Sequence, residues 1–135
     1  MSNTINTSND VLRARSKQTT LTETQDVNAN QAGGEFNIAT DAKVITLPKI
    51  DANNIGMEFT FRNTGADGNN IITLSPNASD AIHGTIAAVS SGGVANKDWI
   101  NTKASANKGD WVTLKAIALT EYYITGGDGV WASEA

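Results

Sequence analysis

Residues 109–131 read GDWVTLKAIALTEYYITGGDGVW, and this stretch decides the fold that we predict for the chain. From residue 111 to residue 116, Val, Leu and Ala alternate with Trp, Thr and Lys, which is the period of a strand with one buried face. Residues 122–125, YYIT, are aromatic and β-branched, as expected of a second strand. The sequence GGDG at 126–129 predicts a turn, after which residues 130–131 return as the last strand of a closing β-meander.

The rest of the chain supplies more strands of the same kind. Alternation is clearest in residues 57–62, MEFTFR, and it places Met57, Phe59 and Phe61 in the core. Further strands are predicted at 18–24, 43–47, 70–74 and 85–89. Short strands separated by Gly, Pro and Asn are typical of sandwiches and jelly rolls. The sequence therefore predicts an all-β fold, with a single small β-sandwich or jelly-roll-like domain in residues 35–135.

Residues 1–34 are predicted to form an extended N-terminal arm that includes the first strand. Asn, Thr, Ser and Gln dominate this stretch, and its few apolar side chains cannot offset the entropy of ordering. One segment of the arm combines two apolar residues with a cluster of positive charge: Val11, Leu12, Arg13, Arg15 and Lys17. Two interpretations stay open for it. It is a frayed helix or solvated patch, or it is a contact segment that becomes ordered on a partner.

Composition excludes several classes of function. The formal net charge is -4, and the composition as a whole is too poor in Lys and Arg for a phosphate-binding surface, so we expect no nucleic-acid partner. The chain has no cysteine, which excludes disulfides and thiol catalysis and fits synthesis in a reducing cytoplasm. No apolar run is long enough to span a bilayer, and residues 1–10 do not resemble a secretory signal, so we expect no membrane partner.

Catalytic chemistry is not indicated either. His83 is the single histidine, and its proximity in sequence to Asp80 does not establish a catalytic triad, so a role in a turn or in packing is the simpler interpretation. The GGDG sequence resembles a fragment of calcium-binding repeats, but one copy cannot complete their cage. We therefore predict no enzyme activity, no cofactor, and no catalytic or metal-binding residues.

Two apolar features point instead to a protein interface. Strict alternation turns Trp111 outward, where it could contact a subunit or stack on a sugar, or pack under the 92–108 loop beside Trp99. Ile117 and Leu119 lie at a predicted hairpin tip that lacks the usual Gly or Asn. A neighbouring subunit would cover protruding apolar side chains there, so Trp111, Ile117 and Leu119 form the predicted subunit interface.

Several phrases of the sequence are shared with a known family. They are ITLP at 45–48, GMEFTFRNTG at 56–65, ITLSP at 72–76, GDWVTL at 109–114, YITG at 123–126 and GVW at 129–131. In these phrases the chain resembles the small decoration, or cement, proteins of tailed-bacteriophage capsids. Similar phrases occur in other phage structural proteins, including fibre and spike parts. The final hairpin departs from the usual pattern, because residues 118–121, ALTE, replace the expected Gly- or Asn-containing turn.

The resemblance implies a structural protein on the exterior of the virion. Homotrimers would sit on an expanded head, and the arm would bridge adjacent subunits of the major capsid protein. Many copies that each join neighbouring subunits stabilise a shell by mass action, without chemistry. The alternative that we keep is a carbohydrate- or receptor-binding β-sandwich of a phage fibre or spike, which would use exposed Trp and Tyr for stacking.

Overall fold

The computed structural model describes residues 16–135, and it is all-β with two main sheets. The strands of this part of the chain are β1 Gln18–Thr20, β2 Gln25–Asp26, β3 Glu35–Ile38, β4 Lys43–Thr46, β5 Glu58–Asn63, β6 Ile72–Ser75, β7 Ala81–His83, β8 Thr85–Ile86, β9 Val89–Ser90, β10 Trp99–Asn101, β11 Trp111–Ala118, β12 Glu121–Asp128 and β13 Trp131–Ser133. Short 3-10 helices occupy Ala29–Gln31 and Lys103–Ser105. Sheet A has the order β1-β3-β5-β11-β12-β7, sheet B has the order β13-β10-β6-β4-β2, and β8 pairs with β9.

The two sheets bury their alternate residues against each other, so the predicted β-sandwich is confirmed. In β5, Phe59 and Phe61 are fully buried, and Met57 just before the strand is 7% exposed. Phe36 of β3 stacks on Phe61 with ring centroids 5.4 Å apart. In sheet B, Trp99 stacks on Trp131 at 6.1 Å. These aromatic side chains fill the space between the sheets, where each contributes a large apolar area.

The first six strands alternate between the sheets. β1, β3 and β5 lie side by side and parallel in sheet A, while β2, β4 and β6 do the same in sheet B. The chain therefore winds as a short coil from Gln18 to Ser75. Jelly rolls are antiparallel, so these parallel pairs make the topology of this sandwich a mixed one.

The stretch that we assigned to an arm enters both sheets. β1 pairs with β3, and β2 pairs with β4. Leu21 and Val27 are each only 3% exposed and belong to the core. Arg15 and the residues before it lie outside the described residues. Within the described part, the sandwich therefore begins at Gln18 instead of residue 35.

The predicted closing meander is only half correct. β11 and β12 form the expected antiparallel hairpin, but β13 pairs with β10 in the opposite sheet. The predicted turn at 126–129 is also wrong, because β12 continues through Gly126 and Gly127 to Asp128. These glycines make room for side chains, since an added Cβ would lie 3.0 Å from the ring of Trp111 at Gly126 and 2.4 Å from Ile86 at Gly127. The chain turns only at Gly129, where φ is +107°.

Residues 85–89 form a hairpin instead of the single strand that we predicted. Ala87 and Ala88 have φ of 51° and 68°, the left-handed values of a two-residue hairpin turn. The turn brings β9 back beside β8 and leaves Ile86 only 5% exposed in the core. The hairpin contacts β12 of sheet A and β13 of sheet B, so it covers this side of the sandwich.

A buried group of polar side chains joins the two sheets, and we call Asn63, Asn70, Asn101 and Asp110 the inter-sheet polar cluster. Asn63 of sheet A donates from Nδ2 to Oδ1 of Asn101 in sheet B, at 2.8 Å. Asn101 donates in turn to Asp110 Oδ2 and to the Val130 carbonyl, both at 3.1 Å. Asn70 donates to Asn63 Oδ1 at 3.1 Å. Because buried polar groups are costly when unpaired, this cluster fixes how the two sheets are aligned.

Candidate interaction surface

An apolar tip is formed by the β11–β12 hairpin and the loop beside it. Ile117 is 46% exposed and Leu119 is 55% exposed, and Thr120 completes the turn with a φ of 64°. The Gly56 N–H donates to the Ala116 carbonyl at 2.7 Å, which places the preceding residue, Ile55, beside the hairpin. Ile55 is itself 46% exposed. We call Ile55, Ile117 and Leu119 the apolar tip.

Trp111, the third residue of the predicted interface, lies elsewhere on the molecule. It is half-buried on the outer face of sheet A, at the opposite end of β11 from Ile117. The guanidinium of Arg62 lies 5.8 Å from the centroid of its ring, and the ring edge packs over Gly126. The alternative that Trp111 packs beside Trp99 is wrong, since Trp99 stacks on Trp131 inside the sandwich. Trp111 therefore does not join the apolar tip.

Charged and polar side chains cross the outer face of sheet A near the tip. Strand register aligns Glu58, Lys115, Tyr123 and His83, which we call the charged row. The Tyr123 hydroxyl donates to Glu121 Oε1 at 2.9 Å, and this bond together with the charge of Glu121 raises the pKa of Tyr123. The ring of His83 stacks on Tyr123 at 5.3 Å. Tyr123 and His83 of this row therefore have contacts within the chain, whereas Glu58 and Lys115 add charge beside the tip.

The outer face of sheet B has a different character. Register aligns Val44, Thr73, Ile100 and Ala132 across four neighbouring strands. All four are partly exposed, and we call them the uncharged row. Val130, 46% exposed just before β13, extends the apolar character of this face. A row of uncharged, partly exposed side chains of this kind is suited to contact with another macromolecule.

Of the predicted arm residues, the structure describes only Lys17. Val11, Leu12, Arg13 and Arg15 lie outside the described residues. The Lys17 side chain is exposed, and its carbonyl accepts the Glu35 N–H at 2.9 Å, so it sits at the edge of sheet A. Beside it is a cleft of about 240 Å³ that the 3-10 helix Ala29–Gln31, Gly33 and Thr19 help to line.

Side chains considered for catalysis are held apart from one another. Asp80 is fully buried and accepts the Ile50 N–H at 3.0 Å. His83 is partly exposed and faces Glu121, with Nε2 3.8 Å from Oε1. Within residues 16–135, no group of three or more His, Cys, Asp or Glu is placed to hold a metal ion. The same part of the chain has no helix that is long and apolar enough to cross a membrane.

Sequence reasoning found two of the three tip residues and missed the rest of the apolar surface. Ile55 is a lone apolar residue in the loop sequence DANNIG, and only the bond from Gly56 to Ala116 places it beside the hairpin. The uncharged row is drawn from four separate segments, so the strand order is needed to align it. Residues 70–74, NIITL, contain no charged residue, and that is a local signal of an uncharged outer face.

The surfaces described above are the basis for assigning a function, because comparison with known proteins identifies no family. A scan against models of protein families found no match, and a search of curated proteins found none.

Proposed function

We propose that this chain is a structural protein of a phage virion, a decoration protein that binds the outside of an expanded capsid and bridges adjacent capsid subunits. The observation that carries the proposal is the apolar tip, three large aliphatic side chains that are each 46–55% exposed. Exposed aliphatic groups at the end of a rigid hairpin gain free energy when a protein partner removes them from water. The phrases shared with phage decoration proteins support the same class.

The arrangement of the surfaces supports two separate contacts. The apolar tip is small and is bordered by Glu58, Lys115 and Glu121, as an interface core is bordered by a polar rim. We assign the tip to contacts among three copies of the chain. The uncharged row crosses four neighbouring strands of the other sheet, so we assign it to the capsid surface.

The positively charged N-terminal segment would supply a third contact. Lys17, the last residue of that segment, is exposed and lies next to β1 at the edge of sheet A. Arg13 and Arg15 precede it in the sequence. A cationic segment in a chain of net charge -4 favours an acidic partner surface.

The proposal is tested first by copy number. Particles purified from the source of the chain are digested, and this chain is quantified against the major shell subunit by mass spectrometry with isotope-labelled peptides. A copy number comparable to that of the shell subunit is the expected result. A few copies per particle would favour a fibre or spike component, and absence from the particles would overturn the proposal.

The contribution of the N-terminal segment is tested by deletion. Removing residues 1–15 keeps β1 and every described core residue, so the variant should fold. We expect it to bind shells that lack this chain at least about tenfold more weakly than the full chain, since several contacts on one linked segment are lost together. Arg13→Ser with Arg15→Ser in the full chain serves as the second variant. Unchanged affinity of both variants would indicate that the capsid contact lies in the folded domain.

Glycan binding by a fibre or spike remains the alternative prediction. Its candidates, Trp111 and Tyr123, each have a neighbour against the ring, Arg62 in the first case and His83 in the second. A sugar that stacks on Trp111 would quench its fluorescence, and Trp111→Phe would remove that response. Quenching by a panel of host-surface glycans would favour this alternative.

A further inference from the structure

The end of β12 carries an Asp-Gly pair in an arrangement that differs from the other such pair of the chain. The Gly129 N–H donates to Oδ1 of Asp128, the residue directly before it, at 2.9 Å. The Asp128 side chain is exposed to water, and its main-chain carbonyl is fixed by Nε1 of Trp131 at 3.0 Å. The backbone nitrogen of Gly129 is therefore held against the carboxyl group, with Cγ one bond beyond the hydrogen-bonded oxygen.

Asp67 and Gly68 form the matching pair, but here the two groups are hydrogen-bonded to other residues. The Gly68 N–H donates to the Ala106 carbonyl at 2.7 Å, and Oδ1 of Asp67 accepts the Lys108 N–H at 2.8 Å. The nitrogen and the carboxyl group thus each have another partner. Both aspartates are exposed, so the difference between the two pairs lies in geometry and not in access to water.

We propose that Asp128 is a site of spontaneous backbone isomerisation, and that the fold favours the reaction there over Asp67. The Gly129 nitrogen loses its proton to water and attacks Cγ of Asp128. A C–N bond forms, and one carboxyl oxygen leaves as water, which gives a five-membered succinimide. Water then adds to the imide. Opening at one carbonyl restores aspartate, and opening at the other gives isoaspartate, so one water is released, one is consumed, and no oxidant or reductant takes part.

Two features of the site support the reaction. Glycine has no side chain to block the approach of its nitrogen. A nucleophile held close to the reacting carbon reacts faster than one that must find it, because the entropy of approach is already paid by the fold. The inference concerns the chain itself and does not rest on the capsid role.

Isomerisation at this position would disturb the sandwich. Isoaspartate adds one carbon to the main chain just before Gly129, whose Cα lies so close to the Asp110 carboxylate that an added Cβ would come within 2.3 Å of Cγ. The Val130 carbonyl, which accepts the side-chain N–H of Asn101, follows directly. The product should therefore loosen the inter-sheet polar cluster.

The two pairs of one chain provide the test. The full chain is incubated for weeks in neutral buffer made with water enriched in heavy oxygen, once folded and once in guanidinium chloride. Trypsin places the two sites on separate peptides, since residues 116–135 contain Asp128 as their only aspartate and residues 63–97 contain Asp67. Isoaspartate and incorporated heavy oxygen are then measured at each site by mass spectrometry with electron-transfer fragmentation.

We expect isoaspartate at Asp128 to form at least about threefold faster than at Asp67 in the folded chain, and the two rates to converge in guanidinium chloride. Asp128→Glu should abolish the product in peptide 116–135, because the larger ring forms slowly. A folded-state ratio equal to or below the denatured-state ratio would overturn the proposal. Isoaspartate at Asp67 alone would overturn it as well.

Discussion

The outer faces of the two sheets are built on the same alternation and yet differ in chemistry. The charged row crosses sheet A with Glu58, Lys115, Tyr123 and His83, whereas the uncharged row crosses sheet B with aliphatic residues and one threonine. Two side chains of the charged row contact each other, since the ring of His83 stacks on Tyr123. Removing charges from water is costly, and removing aliphatic groups is favourable. If the proposed function is correct, the difference predicts that the partner binds the outer face of sheet B and not that of sheet A.

The comparison depends on sheets that stay aligned back to back, so the change with the largest expected effect is Asn101→Ala. It removes three hydrogen bonds at once, those of Asn101 to Asn63, Asp110 and the Val130 carbonyl, and it leaves a small cavity between the sheets. We expect the free energy of unfolding to fall by roughly 3 kcal/mol or more. Denaturation in urea, followed by tryptophan fluorescence, measures the loss.

Asn69→Ala is the matched control for this prediction. Asn69 is exposed, and only its backbone N–H takes part in a bond, to the Ala66 carbonyl. The control should change the stability by less than about 0.5 kcal/mol. Equal losses in the two variants would mean that the inter-sheet polar cluster does not hold the sheets together.

The difference between the faces is tested directly by placing one charge on each. Ile100→Lys interrupts the uncharged row, whereas Thr113→Lys adds the same charge to the outer face of sheet A. We expect the first variant to bind capsid shells at least about tenfold more weakly, which corresponds to about 1.4 kcal/mol, and the second to bind like the wild type. Binding is measured by cosedimentation with shells that lack the chain. The opposite order would assign the capsid contact to sheet A.

A third change tests the apolar tip independently of the outer faces of the two sheets. Leu119→Ser removes an aliphatic side chain that is 55% exposed, and we expect it to shift a trimer toward monomers at micromolar concentration. Val94→Ser is its control, because Val94 is 54% exposed but lies in the loop after β9. Light scattering after size exclusion gives the mass. A trimer that persists in the Leu119→Ser variant would show that the apolar tip is not part of the subunit interface.

The smallest expected effect is a pH dependence of stability that distinguishes Tyr122 on the inner face of β12 from Tyr123 on its outer face. Burial, and then the charge of Asp80, raise the pKa of Tyr122, which donates to the Pro48 carbonyl at 2.5 Å. The folded chain thus keeps a proton that the unfolded chain releases above its ordinary pKa of about 10. Stability should therefore fall as the pH rises above 10, with a slope of up to about 1.4 kcal/mol per pH unit.

Melting temperatures recorded from pH 9 to 11 test this dependence. Tyr122→Phe should flatten the alkaline decline relative to the wild type. Tyr123→Phe should flatten it less, because Tyr123 is 39% exposed and water screens the interaction with Glu121 that raises its pKa. An identical decline in all three proteins would assign the alkaline loss to other groups.

Local sequence patterns predicted the strands well and their partners poorly. β5 and β11 follow from alternation, since one face of each is buried. The alternating parallel winding of β1 to β6 did not follow, because the pairing of strands depends on the other strands and not on the local pattern. The role of Gly126 and Gly127 was also missed for this reason. Both serve distant side chains instead of a turn.

The family resemblance is concentrated in residues that build the sandwich. Asn63 and Asp110 belong to the inter-sheet polar cluster, and Trp131 stacks on Trp99. Gly65 packs against Asn70, where an added Cβ would lie 2.9 Å from another Cβ. The shared phrases therefore support the fold more directly than the contact surfaces. The apolar tip lies in the hairpin that departs from the family pattern, which is why its residues required a separate argument.

The alternating path of the first six strands also has a mechanical consequence. Each connection from β1 to β6 crosses from one sheet to the other, so the backbone itself links the two layers covalently. A force that pulls the layers apart must then stretch covalent connections as well as separate apolar surfaces. A force on the N-terminal end can instead unwind the coil one strand at a time, beginning with β1. The sandwich should thus resist being pulled open across its layers far better than being unravelled from Gln18.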